Sequence, residues 1–206
     1  MKRAILFVDA NNWYHNTKKI FNPGNIDIIK IANLLCKIKG FSLSEIRWYA
    51  SIPNIADGEK MYYKHMSFLE KIEKNGIKVI TRKLQRLSNK EAIKNKNKLI
   101  KNIGLCSSCR RLIESAFFMP EIQKKEKGID VWLAIDMIKF CLIDKSNDAC
   151  ILISGDADFV PALTLIKENK RDILVASAPY GFSKELRDKF EYFILRKETL
   201  KKCFRS

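Results

Sequence analysis

Four aspartates stand at places in the sequence where their carboxylates could act together. Asp9 directly follows the apolar run Ala4–Val8, and Asp156 and Asp158 follow a second apolar run within ILISGDADF. Asp130 opens a segment with helical periodicity. Clustered carboxylates repel one another, and a hard divalent cation such as Mg²⁺ or Mn²⁺ relieves that repulsion with oxygen ligands alone. These residues therefore indicate a site for a divalent metal ion.

The elements that carry these aspartates alternate between strand and helix. Strands are predicted at Ala4–Val8, Ile46–Ala50, Ile77–Thr81, Cys150–Ser154 and Ile173–Ala176, with a last apolar stretch at Tyr192–Leu195. Helices are predicted at Asp27–Ile38, Glu59–Lys74, Asp130–Ile143, Phe159–Glu168 and Ser183–Phe190. This alternation is typical of a parallel sheet covered on both faces, whose ligands bind beyond the carboxyl ends of the strands. Three separate segments are thus expected to bring the aspartates to one edge.

Each aspartate also has a purely structural interpretation. An aspartate after a strand commonly forms a turn or caps a helix, which would account for Asp9 and Asp156. Asp130 could stabilise the dipole of its own helix. The convergence of three segments on one edge favours a functional interpretation of the set. Asp136 lies about 240° around the helix from Asp130 and is therefore assigned a supporting or structural role.

The charge of the chain favours a polyanionic partner. Lys and Arg outnumber Asp and Glu by 39 to 23, which gives a formal net charge of +16. Nucleic acid is such a partner, and a generally basic surface is the alternative. Much of the excess falls in a predicted insertion at about 82–127, where Lys94, Lys96 and Lys98 are expected to contact nucleic acid. A solvated excursion is the alternative explanation of this insertion. A basic tail follows at about 196–206.

The chain length and the cysteines bound the remaining possibilities. The 206 residues suit one domain, and no apolar run is long enough for a membrane helix, so a cytoplasmic protein without a membrane partner is expected. Cys106 and Cys109 have the spacing of half a zinc site. Cys203, or a second subunit in a homodimer, could supply the missing ligands. A reduced, metal-free pair is preferred over Zn²⁺. Three other cysteines are predicted to pack in the core: Cys36, Cys141 and Cys150.

Three sequence motifs, in this order, resemble the NYN domains of the LabA/DUF88 group, which are PIN-like nucleases in fold. They are FVDANN, KEKGIDVWLAIDM and ILISGDADFVPAL, and the resemblance covers the first strand and roughly Lys125–Ala176. It implies a three-layer α/β/α fold with a mostly parallel sheet. It also implies a metal-dependent endoribonuclease that hydrolyses RNA phosphodiester bonds. By position, the resemblance assigns the acidic ligands to Asp9, Asp130, Asp156 and Asp158.

Polar residues near these motifs are candidates for substrate contact. Asn11 and Asn12 could position Asp9 or touch the substrate phosphate, and turn formation explains either asparagine as well. Asn12 matches a frequent polar neighbour in the family, and Ser154 and Lys127 fall in motif positions that would assist substrate binding.

Two other function classes deserve comparison with the nuclease hypothesis. A phosphatase of the haloacid dehalogenase type needs a second aspartate two residues after the first, where this chain has Asn11. A non-catalytic RNA-binding or regulatory module that keeps the acidic edge is the stronger alternative. Cleavage of RNA in the presence of a divalent metal distinguishes the nuclease from this module.

Overall fold

The computed structural model describes residues 1–125 and 127–205, which divide into two compact units. Met1–Lys83 and the residues from Gly128 onward form the first unit, and Leu84–Lys127 form the second. The strands are β1 (Arg3–Asp9), β2 (Ser42–Ile52), β3 (Lys78–Lys83), β4 (Gln85–Ser88), β5 (Ile122–Lys125), β6 (Ala149–Ile153), β7 (Asp172–Ser177) and β8 (Tyr192–Ile194). The α-helices are α1 (Ala10–Thr17), α2 (Ile28–Lys39), α3 (Glu59–Lys74), α4 (Lys90–Asn102), α5 (Ser107–Ala116), α6 (Ile129–Ile138), α7 (Val160–Glu168), α8 (Lys184–Lys189) and α9 (Lys197–Lys202).

Six parallel strands form the sheet of the first unit, in the order β3-β2-β1-β6-β7-β8. The two central strands, β1 and β6, are buried on both faces, as their uninterrupted apolar sequences predict. Strand order reverses between them, because β2 and β3 extend the sheet on one side and β7 and β8 on the other. Their carboxyl ends therefore form the position where ligands of such sheets bind.

Two helical layers cover the sheet, one on each face. Buried residues of α1, α2, α3 and α9 pack with Leu6 and Val8, and those of α6, α7 and α8 pack with Ile5 and Phe7. This arrangement confirms the predicted three-layer α/β/α fold. Because side chains alternate along a strand, Asp9 projects from the same face of β1 as Phe7, towards the layer of α6 and α7.

Local signals explain where several helices begin and end. The Asp27 carboxylate accepts the Ile29 N–H at 2.8 Å at the start of α2, and Gly40 ends that helix with a φ of 67°. Helix α3 has the predicted bounds. The helix predicted to run from Asp130 to Ile143 is α-helical only to Ile138, and a π-helical turn covers Lys139–Ile143. Helix α1 had no counterpart in the sequence-based prediction.

The second unit contains short elements and few buried side chains. Strands β4 and β5 pair in antiparallel fashion, and α4 and α5 lie between them in the sequence. Ile100 is the only buried residue among the side chains described in this unit. Several large apolar side chains are exposed there, among them Leu112, Phe117 and Phe118. The insertion predicted at about 82–127 therefore contains two strands and two helices, which were not predicted. In the described part of the chain, no helix combines the length and apolar character needed to cross a membrane.

Candidate functional site

Asp9 is held in one orientation at the carboxyl end of β1. Its side chain is only 6% exposed, and it caps α1 by accepting the Asn12 N–H at 3.1 Å. The other carboxylate oxygen accepts the Ser154 hydroxyl at 2.8 Å. These two hydrogen bonds fix the orientation of the Asp9 carboxylate. Asp9 is thus a carboxylate whose position is fixed by two elements, α1 and the segment that follows β6.

Ser154 links Asp9 to the segment that carries two further aspartates. Ser154 is buried, and its hydroxyl oxygen accepts the Asp156 N–H at 3.1 Å while it donates to Asp9. The Asp156 carboxylate accepts the Asp158 N–H at 3.0 Å and starts a short 3₁₀ helix at Ala157–Phe159. Asp156 is half-buried and Asp158 is exposed. Two of the three predicted segments therefore meet at the ends of neighbouring strands.

Asp130 lies in the first turn of α6 and is half-buried. Helix α6 packs against β1, β2 and the short helix at Ala157–Phe159. Gly128 precedes α6 with a φ of 84°, and a Cβ at this position would lie 2.4 Å from Nη1 of Arg82. Arg82 belongs to the carboxyl end of β3 and is exposed. A guanidinium, which is a phosphate-binding group, thus lies at the start of the helix that carries Asp130. Arg82 was not among the candidate residues predicted from the sequence.

Asn12 and Asn16 connect α1 to the loops that follow β6 and β7. The side-chain oxygen Oδ1 of Asn12 accepts the Gly155 backbone N–H at 2.9 Å and the side-chain amide N–H of Asn16 at 3.1 Å. A Cβ on Gly155 would lie 2.0 Å from the carbonyl oxygen of Gly181, and a Cβ on Gly181 would lie 2.4 Å from Oδ1 of Asn16. Three segments are therefore in close contact beside Asp9. Asn11 is half-buried on the first turn of α1, and its role stays a prediction.

Replacing Gly181 by alanine is expected to destabilise the protein more than the same change at Gly40. Both glycines have positive φ, 72° and 67°, but nothing lies within 4 Å of a Cβ on Gly40. Gly40→Ala should therefore cost about 1–2 kcal/mol for its backbone conformation. Gly181→Ala should cost about 1–3 kcal/mol more, because Asn16 must move away from Asn12. Urea denaturation measures both, and equal losses would contradict the close packing around Asn16.

Asp136 takes part in a separate buried network. Its carboxylate accepts the Tyr49 hydroxyl at 2.5 Å and pairs with Nη2 of Arg47 at 3.2 Å, while Nη1 of Arg47 pairs with Glu45 at 2.7 Å. Burial raises the pKa of Tyr49 far above its ordinary value, and the hydrogen bond to Asp136 raises it further. Tyr49 therefore remains a proton donor, and Asp136 fixes α6 against β2.

Among residues 1–125 and 127–205, no group of three or more His, Cys, Asp or Glu side chains is arranged to hold a metal ion. The four aspartates nevertheless offer oxygen ligands alone, which is the donor chemistry of Mg²⁺ and Mn²⁺ sites. The four-aspartate metal site stays a prediction, and so does the choice of direct ligands among its members.

The other candidate residues lie in the second unit. Lys94, Lys98 and Lys127 are exposed, and the Lys96 ammonium donates to the Phe117 carbonyl at 2.9 Å. Their contact with RNA stays a prediction.

Cys106 and Cys109 are exposed, and the Cys106 sulfur accepts the Cys109 N–H at 3.4 Å. This backbone hydrogen bond lowers the pKa of Cys106. Zinc binding at this pair also stays a prediction. The other cysteines, Cys36, Cys141, Cys150 and Cys203, are buried.

A comparison with models of protein families shows the family of this chain. The model of the NYN domain matches residues 3–197, which is nearly the whole chain. The chain belongs to the NYN domain family. NYN domains are PIN-like and are in general nucleases. The predicted NYN resemblance is thus confirmed, while the narrower placement in the LabA/DUF88 group stays a prediction.

Comparisons with curated proteins and solved structures support the fold but assign no activity. No curated protein matches this NYN domain significantly. The crystal structure of a Vibrio parahaemolyticus protein of unknown function is similar, with a TM-score of 0.54 and 18% sequence identity. The match covers 94% of this chain and 91% of that chain. At this identity the likeness supports the fold alone.

Proposed function

We propose that this NYN domain is a divalent-metal-dependent endoribonuclease that hydrolyses RNA phosphodiester bonds at the carboxyl edge of its sheet. The proposal rests on the hydrogen bonds of Ser154. They join the buried Asp9 carboxylate to the backbone N–H of Asp156 at the ends of β1 and β6. In a family that is in general made of nucleases, acidic residues at this place fit phosphodiester hydrolysis.

Asp9 and Asp156 are proposed as the direct metal ligands, with Asp130 and Asp158 bound directly or through water. Mg²⁺ is usually held by one or two carboxylates together with waters and substrate phosphates, rather than by a cage of protein ligands. A preformed group of three carboxylates is therefore not required. When bound, Mg²⁺ or Mn²⁺ would polarise a phosphate oxygen and lower the pKa of a bound water.

The residues around the aspartates have supporting roles in this proposal. Ser154 and the Asn12 N–H keep the Asp9 carboxylate in place, which reduces the reorganisation needed when the phosphate arrives. Arg82 is proposed to pair with a non-reacting phosphate oxygen, because its guanidinium lies beside Gly128 at the start of α6. The net charge of +16 attracts RNA over a longer range, so the acidic edge does not repel the substrate as a whole. No histidine or serine nucleophile is needed.

Removal of the metal tests this function. Purified protein is incubated with an end-labelled single-stranded RNA and Mg²⁺ or Mn²⁺, and internal cleavage products are expected. EDTA should abolish these products, and an excess of Mn²⁺ added afterwards should restore them. Cleavage that continues in EDTA would exclude the proposed mechanism.

A non-catalytic RNA-binding module is the second candidate function. It is favoured by the helix-capping bonds of Asp9 and Asp156, which give these residues a structural use. RNA binding by the purified protein without cleavage under any metal condition would support it over the nuclease.

A further inference from the structure

An exposed aromatic ring with a cationic group over it lies near the Asp9 site. Tyr180 follows β7 and is 52% exposed, and the Lys19 ammonium lies 5.8 Å from the centre of its ring. We name the two residues Lys19 and Tyr180 the aromatic–cation surface.

Direct contacts connect this surface to the residues around Asp9. Lys19 donates to Oδ1 of Asn16 at 3.5 Å, and Asn16 in turn donates to Asn12, whose backbone N–H is bound by Asp9. On the other side, Gly181 follows Tyr180 directly and packs against both Asn16 and Gly155. Tyr180 is therefore one residue away from a backbone contact with the residue that precedes Asp156.

The chemistry of this surface fits an unpaired nucleotide. Single-stranded nucleic acid is bound by cationic groups that follow the backbone and by aromatic rings on which bases stack. Lys19 supplies the cation, and Tyr180 supplies the exposed ring. In an A-form duplex the bases are paired and stacked on one another, so they cannot stack on this ring. The same surface would therefore contribute little to the binding of a duplex.

We propose that the aromatic–cation surface is a subsite for unpaired nucleotides and directs single-stranded RNA to the acidic edge. This inference deepens the proposed nuclease function and rests on it for its biological meaning. The binding it describes is nevertheless independent of catalysis. It can be measured in EDTA, where the proposed mechanism allows no cleavage.

The test compares the binding of two RNAs by tyrosine variants. Fluorescence anisotropy in EDTA measures the Kd for a labelled single-stranded oligouridine and for a blunt RNA duplex. Tyr180→Ala is expected to weaken single-strand binding about five- to 150-fold, the range that corresponds to base stacking on an aromatic ring. Duplex binding should change less than twofold. Tyr180→Phe should retain single-strand binding, because the ring and not the hydroxyl is required.

Tyr63→Ala is the matched control, because Tyr63 is 60% exposed on α3 and lies outside the aromatic–cation surface. It should leave both affinities unchanged. Thermal unfolding of each variant checks that an exposed side chain was removed without loss of the fold. Lys19→Ala, with the exposed Lys64→Ala as its control, should weaken binding and reduce its salt dependence.

The outcomes separate this inference from the proposed nuclease function. Equal losses for both RNAs, or unchanged binding by Tyr180→Ala, would overturn the subsite even if the protein cleaves RNA. Undetectable binding of single-stranded RNA by the unmodified protein would also overturn it. Selective loss of single-strand binding in a protein that never cleaves RNA would support the subsite and reject the nuclease.

Discussion

Replacing Asp9 by asparagine is expected to abolish metal-dependent RNA cleavage while the fold is kept. Asparagine has nearly the same shape, and its carbonyl oxygen can still accept the Asn12 N–H that Asp9 accepts at 3.1 Å. What is lost is the negative charge that is proposed to bind the cation, together with the oxygen that accepts the Ser154 hydroxyl, which can turn to accept the new amide N–H instead. If the bound metal lowers the barrier by several kcal/mol, the cleavage rate should fall by at least ~10³-fold. The initial rate with Mn²⁺ and a single-stranded RNA measures this loss.

Asp144→Asn is the matched control for this substitution. Asp144 is exposed and precedes β6, so it lies at the opposite edge of the parallel sheet from Asp9. The same change of charge there should leave the cleavage rate within about twofold of the unmodified protein, because exposed charges at such separations are largely screened. Binding of RNA in EDTA should persist in Asp9→Asn. Equal rates for Asp9→Asn and the unmodified protein would remove Asp9 from the catalytic site.

The position of Asp9 and Asp156 at the ends of neighbouring strands could be anticipated from the sequence, because each residue follows an apolar strand. Uninterrupted apolar runs predicted β1 and β6 as buried strands, and the carboxyl ends of neighbouring parallel strands lie at one edge. The structure adds the connection between them, which is the Ser154 hydroxyl. A serine after a strand has many uses, so its sequence position alone could not predict this bond.

Helix α1 and the contacts it makes were not predictable in the same way. Its sequence, ANNWYHNT, contains few apolar residues and three asparagines, so it lacks the periodicity of an amphipathic helix. The Asp9 cap and the burial of Trp13 stabilise it instead. The contact of Asn16 with Gly181 joins residues far apart in the chain, and no local pattern indicates such a pair.

The second unit shows a different limit of sequence-based prediction. Helices α4 and α5 have polar sequences, and Ile100 is the only buried residue among the described side chains there. With so little burial, no apolar stripe marks the helical faces, and the charge excess was the clearest feature of the sequence. That excess predicts a polyanionic partner but carries no information on secondary structure.

Replacing Asp136 by alanine is expected to lower the free energy of unfolding by about 3–5 kcal/mol, because it leaves a buried charge without its partner. The Arg47 and Asp136 side chains are only 12% and 9% exposed, and Tyr49 would also lose its acceptor. Asp136→Asn should lower the free energy of unfolding less, since it keeps an acceptor for the Tyr49 hydroxyl.

Asp172→Ala is the control, because it removes an exposed ion pair with Lys2 and should lower the free energy of unfolding by at most about 1 kcal/mol. Urea denaturation with a common slope measures all three. A loss for Asp136→Ala no larger than that for Asp172→Ala would mean that Glu45 alone compensates the Arg47 charge. The network would then not be what fixes α6, and with it Asp130, against the sheet.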